Sequence, residues 1–216
     1  MIAEQYRLVH SQVAAQGATL VAVSKFKTVE NIQQAYDAGC RDFGENYVQE
    51  LVDKQPQLPA DIRWHLIGHL QTNKVKYIAP FVSMIQSVDS RKLVTEIQKQ
   101  ALNNQRCIQV LLQVHIAQEE TKTGMTVEEV VSILQEASNF PNIQFAGLMG
   151  MASFTEDEEQ VRKEFQFLKK TFDELAQRVA PDSFRHLSMG MSGDWPLAVK
   201  EGSTMVRIGS AIFGNR

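Results

Sequence analysis

Short apolar runs alternate with amphipathic segments along the whole chain. The runs predict strands at 19–24, 41–43, 63–67, 84–88, 108–116, 143–148, 185–188 and 204–208. Between them, apolar positions recur at three- and four-residue spacing. That period predicts helices near 29–38, 45–55, 71–80, 90–104, 126–139, 155–179 and 194–201, with an opening helix over 2–16. Boundary residues agree with this division. Gly39 stands where the helix over 29–38 must stop. Thr126 and Glu129 have capping-box spacing ahead of Val130, Val131, Ile133 and Leu134. Phe165, Leu168, Phe172 and Leu175 form one stripe of the longest helix.

Eight strands alternating with helices imply a parallel α/β sheet. The count fits a closed (β/α)8 TIM barrel. The competing open, doubly wound sheet normally carries a glycine-rich turn after its first strand. Here Val23-Ser24-Lys25-Phe26-Lys27 follows instead. The expected fold is therefore a barrel with an extra N-terminal helix. The 216 residues are 44% hydrophobic and 22% charged, and the six prolines are dispersed. With no linker or low-complexity tract, residues 1–216 are expected to form one domain.

Charge and cysteine content narrow the function classes. A formal net charge of −3 gives no support to nucleic-acid or membrane-surface binding. Residues 1–7 lack the basic and apolar regions of a signal peptide, and no apolar run approaches the ~20 residues of a membrane span. Cys40 and Cys107 are isolated, which points to a reducing cytoplasm and to core-filling thiols.

In a barrel, chemistry gathers where the strands end. The first strand ends at Lys25. A desolvated lysine loses its charge more readily and can attack a carbonyl to form a Schiff base. Taken alone, Lys25 is better read as a surface lysine just past a strand end, with its head in water. The later strand ends are more specific. Ser192-Gly193 precedes Asp194-Trp195-Pro196, where proline suits a first helical turn. Gly209-Ser210 opens a second turn. Serine hydroxyls and free backbone amides there can surround a phosphate, as barrels often arrange after their seventh and eighth strands. The alternative is that these glycines only make turns. Arg207 interrupts the apolar strand Met205-Val206-Arg207-Ile208; it needs either a core carboxylate or a bound ring or anion. His65 and His69 lack the His-Glu-x-x-His zinc pattern; His65 reads as a hydrogen-bonded core residue and His69 as a residue of the ligand mouth. The segment 119–124 reads as a charged cover over the site.

These features together resemble the pyridoxal phosphate homeostasis proteins, relatives of the alanine racemase N-terminal barrel. The matching motifs run from Val21-Ala22-Val23-Ser24-Lys25 through Arg41-Asp42-Phe43-Gly44-Glu45-Asn46-Tyr47, Trp64-His65-Leu66-Ile67-Gly68, Gln71-Thr72-Asn73-Lys74 and Gly147-Leu148-Met149 to Ser188-Met189-Gly190-Met191-Ser192 and Gly202–Gly209. The resemblance implies that Lys25 forms the internal aldimine with pyridoxal 5′-phosphate (PLP). It implies that Ser192, Gly193, Gly209 and Ser210 hold the phosphate, that Arg207 faces the pyridine nitrogen, and that Asn46 and Met149 line the pocket. His69 is a further candidate; many relatives have proline at its position.

An arginine beside the ring nitrogen cannot accept its proton and disfavours a pyridinium, which weakens the ring as an electron sink. The racemases add a C-terminal β-domain that supplies a second base, and the expectation here is that this domain is missing. The reading is then a cytoplasmic PLP carrier or reservoir, with a monomer and PLP-dependent apoenzymes as recipients as further expectations. Two rivals stay open. A small PLP enzyme, a racemase or eliminase, needs an acid/base from His69, His115 or Tyr47. A barrel for another phosphorylated ligand would use Lys25 as a simple cation.

Overall fold

A computed structural model describes residues 1–117, 123–178 and 180–214. Eight parallel strands close into a barrel in chain order: β1 (Thr19–Val23), β2 (Asp42–Glu45), β3 (Arg63–Leu66), β4 (Met84–Val88), β5 (Ile108–Gln113), β6 (Ile143–Met149), β7 (His186–Ser188) and β8 (Met205–Ile208). Strand β1 pairs with β2 on one side and β8 on the other, so no sheet edge remains. This is the expected α/β barrel. Helix α1 (Ile2–Ala14) precedes it, and α2 (Val29–Asp37), α3 (Val48–Lys54), α4 (Val75–Ile78), α5 (Arg91–Asn103), α6 (Val127–Gln135), α7 (Glu158–Arg178), α8 (Trp195–Lys200) and α9 (Ser210–Phe213) follow the strands.

The boundary signals act as the pattern predicts. Gly39 has φ +107° and ends the turn after α2. The Thr126 hydroxyl accepts from the Glu129 amide at 3.3 Å, and the Glu129 carboxylate accepts from the Thr126 amide at 2.9 Å. Phe165 and Leu168 are fully buried along α7, and Phe172 stacks on Phe184 with centroids 5.2 Å apart. Some boundaries shift: the expected helix 126–139 is α6 followed by a 3₁₀ turn at Ala137–Asn139, and the strand expected over 108–116 ends at Gln113. The segment 45–55 gives its first residue to β2, so α3 starts later, and 71–80 splits into a short 3₁₀ turn at Thr72–Lys74 and α4. Cys40 fills core space as expected, but Cys107 is exposed.

Two apolar layers result from strand alternation. The larger lies between strands and helices. The smaller, Val21, Met84, Leu111, Ala146, Met149 and Met205, fills the barrel interior. The rest of the interior is polar. His65, Gln86, Gln113, Ser188 and Arg207 are buried there. Polar groups inside a barrel cost free energy unless each finds a partner, so their arrangement carries information about the site.

Candidate functional site

The site is built from the C-terminal ends of the strands. A cavity of about 300 Å³ is lined by Val23, Lys25, Asn46, Ile67, Met151, Met191, Ser192, Arg207, Gly209 and Ser210. That volume is at the small end of the usual range for small-molecule sites. Six residues picked from the sequence meet there: Lys25, Asn46, Ser192, Arg207, Gly209 and Ser210.

Lys25 lies two residues past the end of β1 and is half-buried. Among the described residues its ammonium has no hydrogen-bond or ion-pair partner. The backbone on either side is held firmly. The Lys54 ammonium donates to the Ser24 carbonyl at 2.9 Å, to Glu45 Oε1 at 2.8 Å and to Glu50 Oε1 at 2.6 Å. The Ser24 hydroxyl donates to Glu45 Oε1 at 2.6 Å, and the Phe26 amide donates to Glu50 Oε1 at 2.5 Å. Phe26 sits at φ +62°, a region phenylalanine seldom adopts. Carboxylates from β2 and α3 thus fix the residues flanking Lys25. Burial raises the pKa of Glu45, against the pull of Lys54 and Ser24. Glu45 Oε2 is the one buried side-chain oxygen without a partner among the described residues.

On the β8 side of β1, the Gly209 amide donates to Ser192 Oγ at 3.2 Å, which brings the loops after β7 and β8 together. A Cβ on Gly209 would lie 3.1 Å from the Val23 carbonyl, so glycine lets this turn close onto β1. The first amides of α9 have no intrahelical acceptor. Lys27 ties the far end of that turn back to β1, donating to the Gly214 carbonyl at 3.0 Å and the Phe213 carbonyl at 3.3 Å. Gly68 serves Asn46: a Cβ there would approach the Asn46 carbonyl oxygen to 2.4 Å.

Arg207 forms the cavity floor and is only 4% exposed. A core carboxylate was one expected partner, and none pairs with it among the described residues. Its Nη1 donates to Ser188 Oγ at 2.6 Å and its Nη2 to the Gly150 carbonyl at 3.1 Å. Burial lowers its pKa to about 10, with only the field of Asp194 opposing.

Three expected residues lie elsewhere. Met149 is inside β6, where it packs in the barrel interior with no exposure; Met151, one pleat further on, lines the cavity in its place. Gly193 is exposed and lines a separate open groove of about 620 Å³ with Thr155, Glu158 and Lys200. His69 is 60% exposed and turned to Asp89, its Nδ1 3.0 Å from the carboxylate. The proposed cover over 119–124 falls largely on residues outside those described. Alternation within a strand signals Met151 once β6 is known to reach Met149, but Lys54 and Glu50 come from a helix that the strand ends do not point to. Among the described residues, no three His, Cys, Asp or Glu side chains are grouped to hold a metal ion.

The chain is similar to known proteins over most of its length. The family model described as alanine racemase, N-terminal domain, matches residues 1–216. The pyridoxal phosphate homeostasis protein of Aquifex aeolicus (strain VF5) is 42% identical over 200 residues, covering 92% of this chain and 87% of that protein. The human protein of the same name is 40% identical over 209 residues, covering 91% of this chain and 76% of its own length. PipY of Synechococcus elongatus PCC7942, in a structure with PLP bound, superimposes with a TM-score of 0.90 at 36% identity, covering 99% of this chain and 100% of that one.

Proposed function

This chain belongs to the pyridoxal phosphate homeostasis protein family, and we propose that it holds pyridoxal 5′-phosphate reversibly through Lys25, as an intracellular carrier without efficient substrate turnover. The observation that carries this reading is the cavity itself. An amine without a partner among the described residues, a donor-only guanidinium and a serine-glycine turn line one space of about 300 Å³. These are the three chemistries that an aldehyde, a ring nitrogen and a phosphate require.

The residues fit the cofactor group by group. Lys25 supplies the amine for covalent attachment. Ser192, Gly209 and Ser210 supply hydroxyls and amides to the phosphate. Arg207 meets the ring nitrogen with N–H groups only, since a guanidinium cannot accept a proton. Asn46, Ile67, Met151 and Met191 bound the remaining space. When bound, PLP brings a reactive aldehyde and, in enzymes, an electron sink.

The lining supports a carrier over a catalyst. Among the described residues its titratable members are Lys25 and Arg207, with no carboxylate, histidine or tyrosine. His69 is engaged with Asp89, and Tyr47 packs against Phe26 with the rings tilted and centroids 5.4 Å apart. An amino-acid enzyme would need a second acid or base beside the lysine. We further propose that residues 1–216 act as one cytoplasmic, monomeric barrel domain whose recipients are PLP-dependent apoenzymes. No helix among the described residues is long and apolar enough to cross a membrane.

The test is incubation of PLP-loaded protein with alanine and other amino acids in deuterated water. The carrier reading expects no α-proton exchange above the rate of free PLP. Rapid exchange with turnover would overturn it in favour of a small PLP enzyme.

A further inference from the structure

Five buried or half-buried side chains connect the cavity floor to the opposite end of the barrel. Arg207 Nη1 donates to Ser188 Oγ at 2.6 Å, and Ser188 Oγ donates to Gln86 Oε1 at 2.7 Å. Gln86 Nε2 lies 3.0 Å from His65 Nδ1, and His65 Nε2 lies 3.1 Å from Asp42 Oδ1. Arg63 closes the chain, its Nε and Nη2 donating to the two Asp42 oxygens at 2.7 and 2.6 Å. The residues come from β8, β7, β4, β3 and β2, so the chain crosses the interior from strand to strand.

The donor and acceptor roles follow from the ends. Arg207 can only donate, so Ser188 must accept from it and send its single hydrogen onward. Gln86 therefore presents its oxygen to Ser188 and its NH₂ to His65. His65 Nδ1 must then accept, which leaves its hydrogen on Nε2, facing the carboxylate of Asp42. Every hydrogen bond from Arg207 to Asp42 points the same way. Turning the Gln86 amide over would strand the Ser188 hydrogen and set an N–H of Gln86 against a hydroxyl already receiving one. No buried polar side-chain atom of these six residues lacks a partner among the described residues. Chains of hydrogen bonds with a common direction polarise one another, and here an anion stands at the accepting end and a buried cation at the donating end.

We propose that Ser188, Gln86 and His65 are positioning residues that fix the Arg207 guanidinium and link it electrostatically to Asp42. Among the described residues no carboxylate pairs with Arg207, and this hydrogen-bonded chain is its substitute. The arrangement keeps the guanidinium at the cavity floor with N–H groups free for a ring nitrogen, which is where the inference rests on the PLP reading above. It assigns Gln86 and His65 a role in cofactor affinity although neither lines the cavity.

Two measurements test the chain, one without cofactor. In the cofactor-free protein, ¹⁵N NMR of the histidine rings at neutral pH is expected to find His65 with hydrogen on Nε2 and a bare Nδ1; hydrogen on Nδ1 would overturn the chain. The second is a double-variant cycle on PLP affinity with Gln86→Met and Arg207→Lys. Each change is expected to weaken binding about tenfold, and the two together by little more than either, because both break one unit. A combined loss near a hundredfold would show independent action and overturn the proposal. Ser188→Ala with Ser188→Thr provides the same cycle if Gln86→Met does not fold: alanine is expected to copy the loss and threonine, which keeps the hydroxyl, to restore affinity and the visible absorption maximum of the bound cofactor. Failure of threonine to restore either would also overturn it. Borohydride labelling of Lys25 in the parent protein separates the two readings. Its absence counts against PLP binding, whereas its presence with additive losses counts against the chain alone.

Discussion

Replacing Lys54 by methionine should destabilise the fold and loosen the site together. The Lys54 side chain is 8% exposed and that of Glu45 is fully buried, with 2.8 Å between them. Removing one partner of a buried pair typically costs about 3–5 kcal/mol, because the other charge is left without compensation. Here the remaining oxygen of Glu45 already has no partner, so Ser24 alone would serve the carboxylate. At about 2.1 cal/mol/K per residue, unfolding a chain of 216 residues carries an entropy of about 0.45 kcal/mol/K. The loss then corresponds to a fall of about 7–11 °C in Tm. Its pH dependence has a definite sign. Burial raises the Glu45 pKa, so its protonated form favours the folded state at low pH, and that contribution is lost as pH rises through the folded value. Without Lys54 the ionised form is harder still to accommodate. The gap between parent and Lys54→Met should therefore be widest near pH 8 and narrow toward pH 5. Differential scanning calorimetry across that range measures both. PLP affinity should fall as well, since Lys54 and Glu50 hold the carbonyl and amide on either side of Lys25. A Tm within about 2 °C of the parent, or a gap that widens on acidification, would refute the reasoning.

Other residues give further expectations. Ser192→Ala removes a hydroxyl from the phosphate end; a hydrogen bond to a charged group contributes about 1.5–3 kcal/mol, so equilibrium dialysis should find PLP binding weakened about tenfold or more. Asp42 is held at a pKa of about 2: burial alone would raise it, but His65 and Arg63 more than offset this. Its stabilisation is present above the ordinary carboxylate range and is lost as pH falls toward 2, so Asp42→Asn should cost about 2 kcal/mol in urea unfolding at pH 7 and progressively less below pH 4. Met149→Leu should leave PLP affinity within about twofold of the parent, while Met151→Ala should weaken it more, because Met151 and not Met149 borders the cavity.

Much of the fold was legible because each strand is a short apolar run and each helix has a clear period. Lys25, Arg207 and the serine-glycine turns stood out because polar residues at apolar strand ends are costly without a use. What the pattern concealed were contacts that depend on closure. Whether Met149 or Met151 reaches the mouth depends on where β6 ends, and a one-pleat difference moves the side chain from cavity to core. Gly193 and Ser192 are neighbours in sequence, yet the turn between β7 and α8 sends them to different surfaces. The pairing of Lys54 with Glu45 and Glu50, and the chain through Gln86, join residues on separate elements that carry no local motif. Arg207 was expected to need a charge or a ligand; its neutral partners became visible only with Ser188 and Gly150 in place.

The central claim is that the Lys25 amine is the attachment point for PLP. Borohydride reduction of PLP-treated protein, followed by proteolysis and mass spectrometry, tests it most directly. The account predicts one reduced pyridoxyl phosphate adduct, on the peptide containing Lys25, and none in Lys25→Ala. An unlabelled Lys25, or label spread over surface lysines with equal yield in Lys25→Ala, would contradict it.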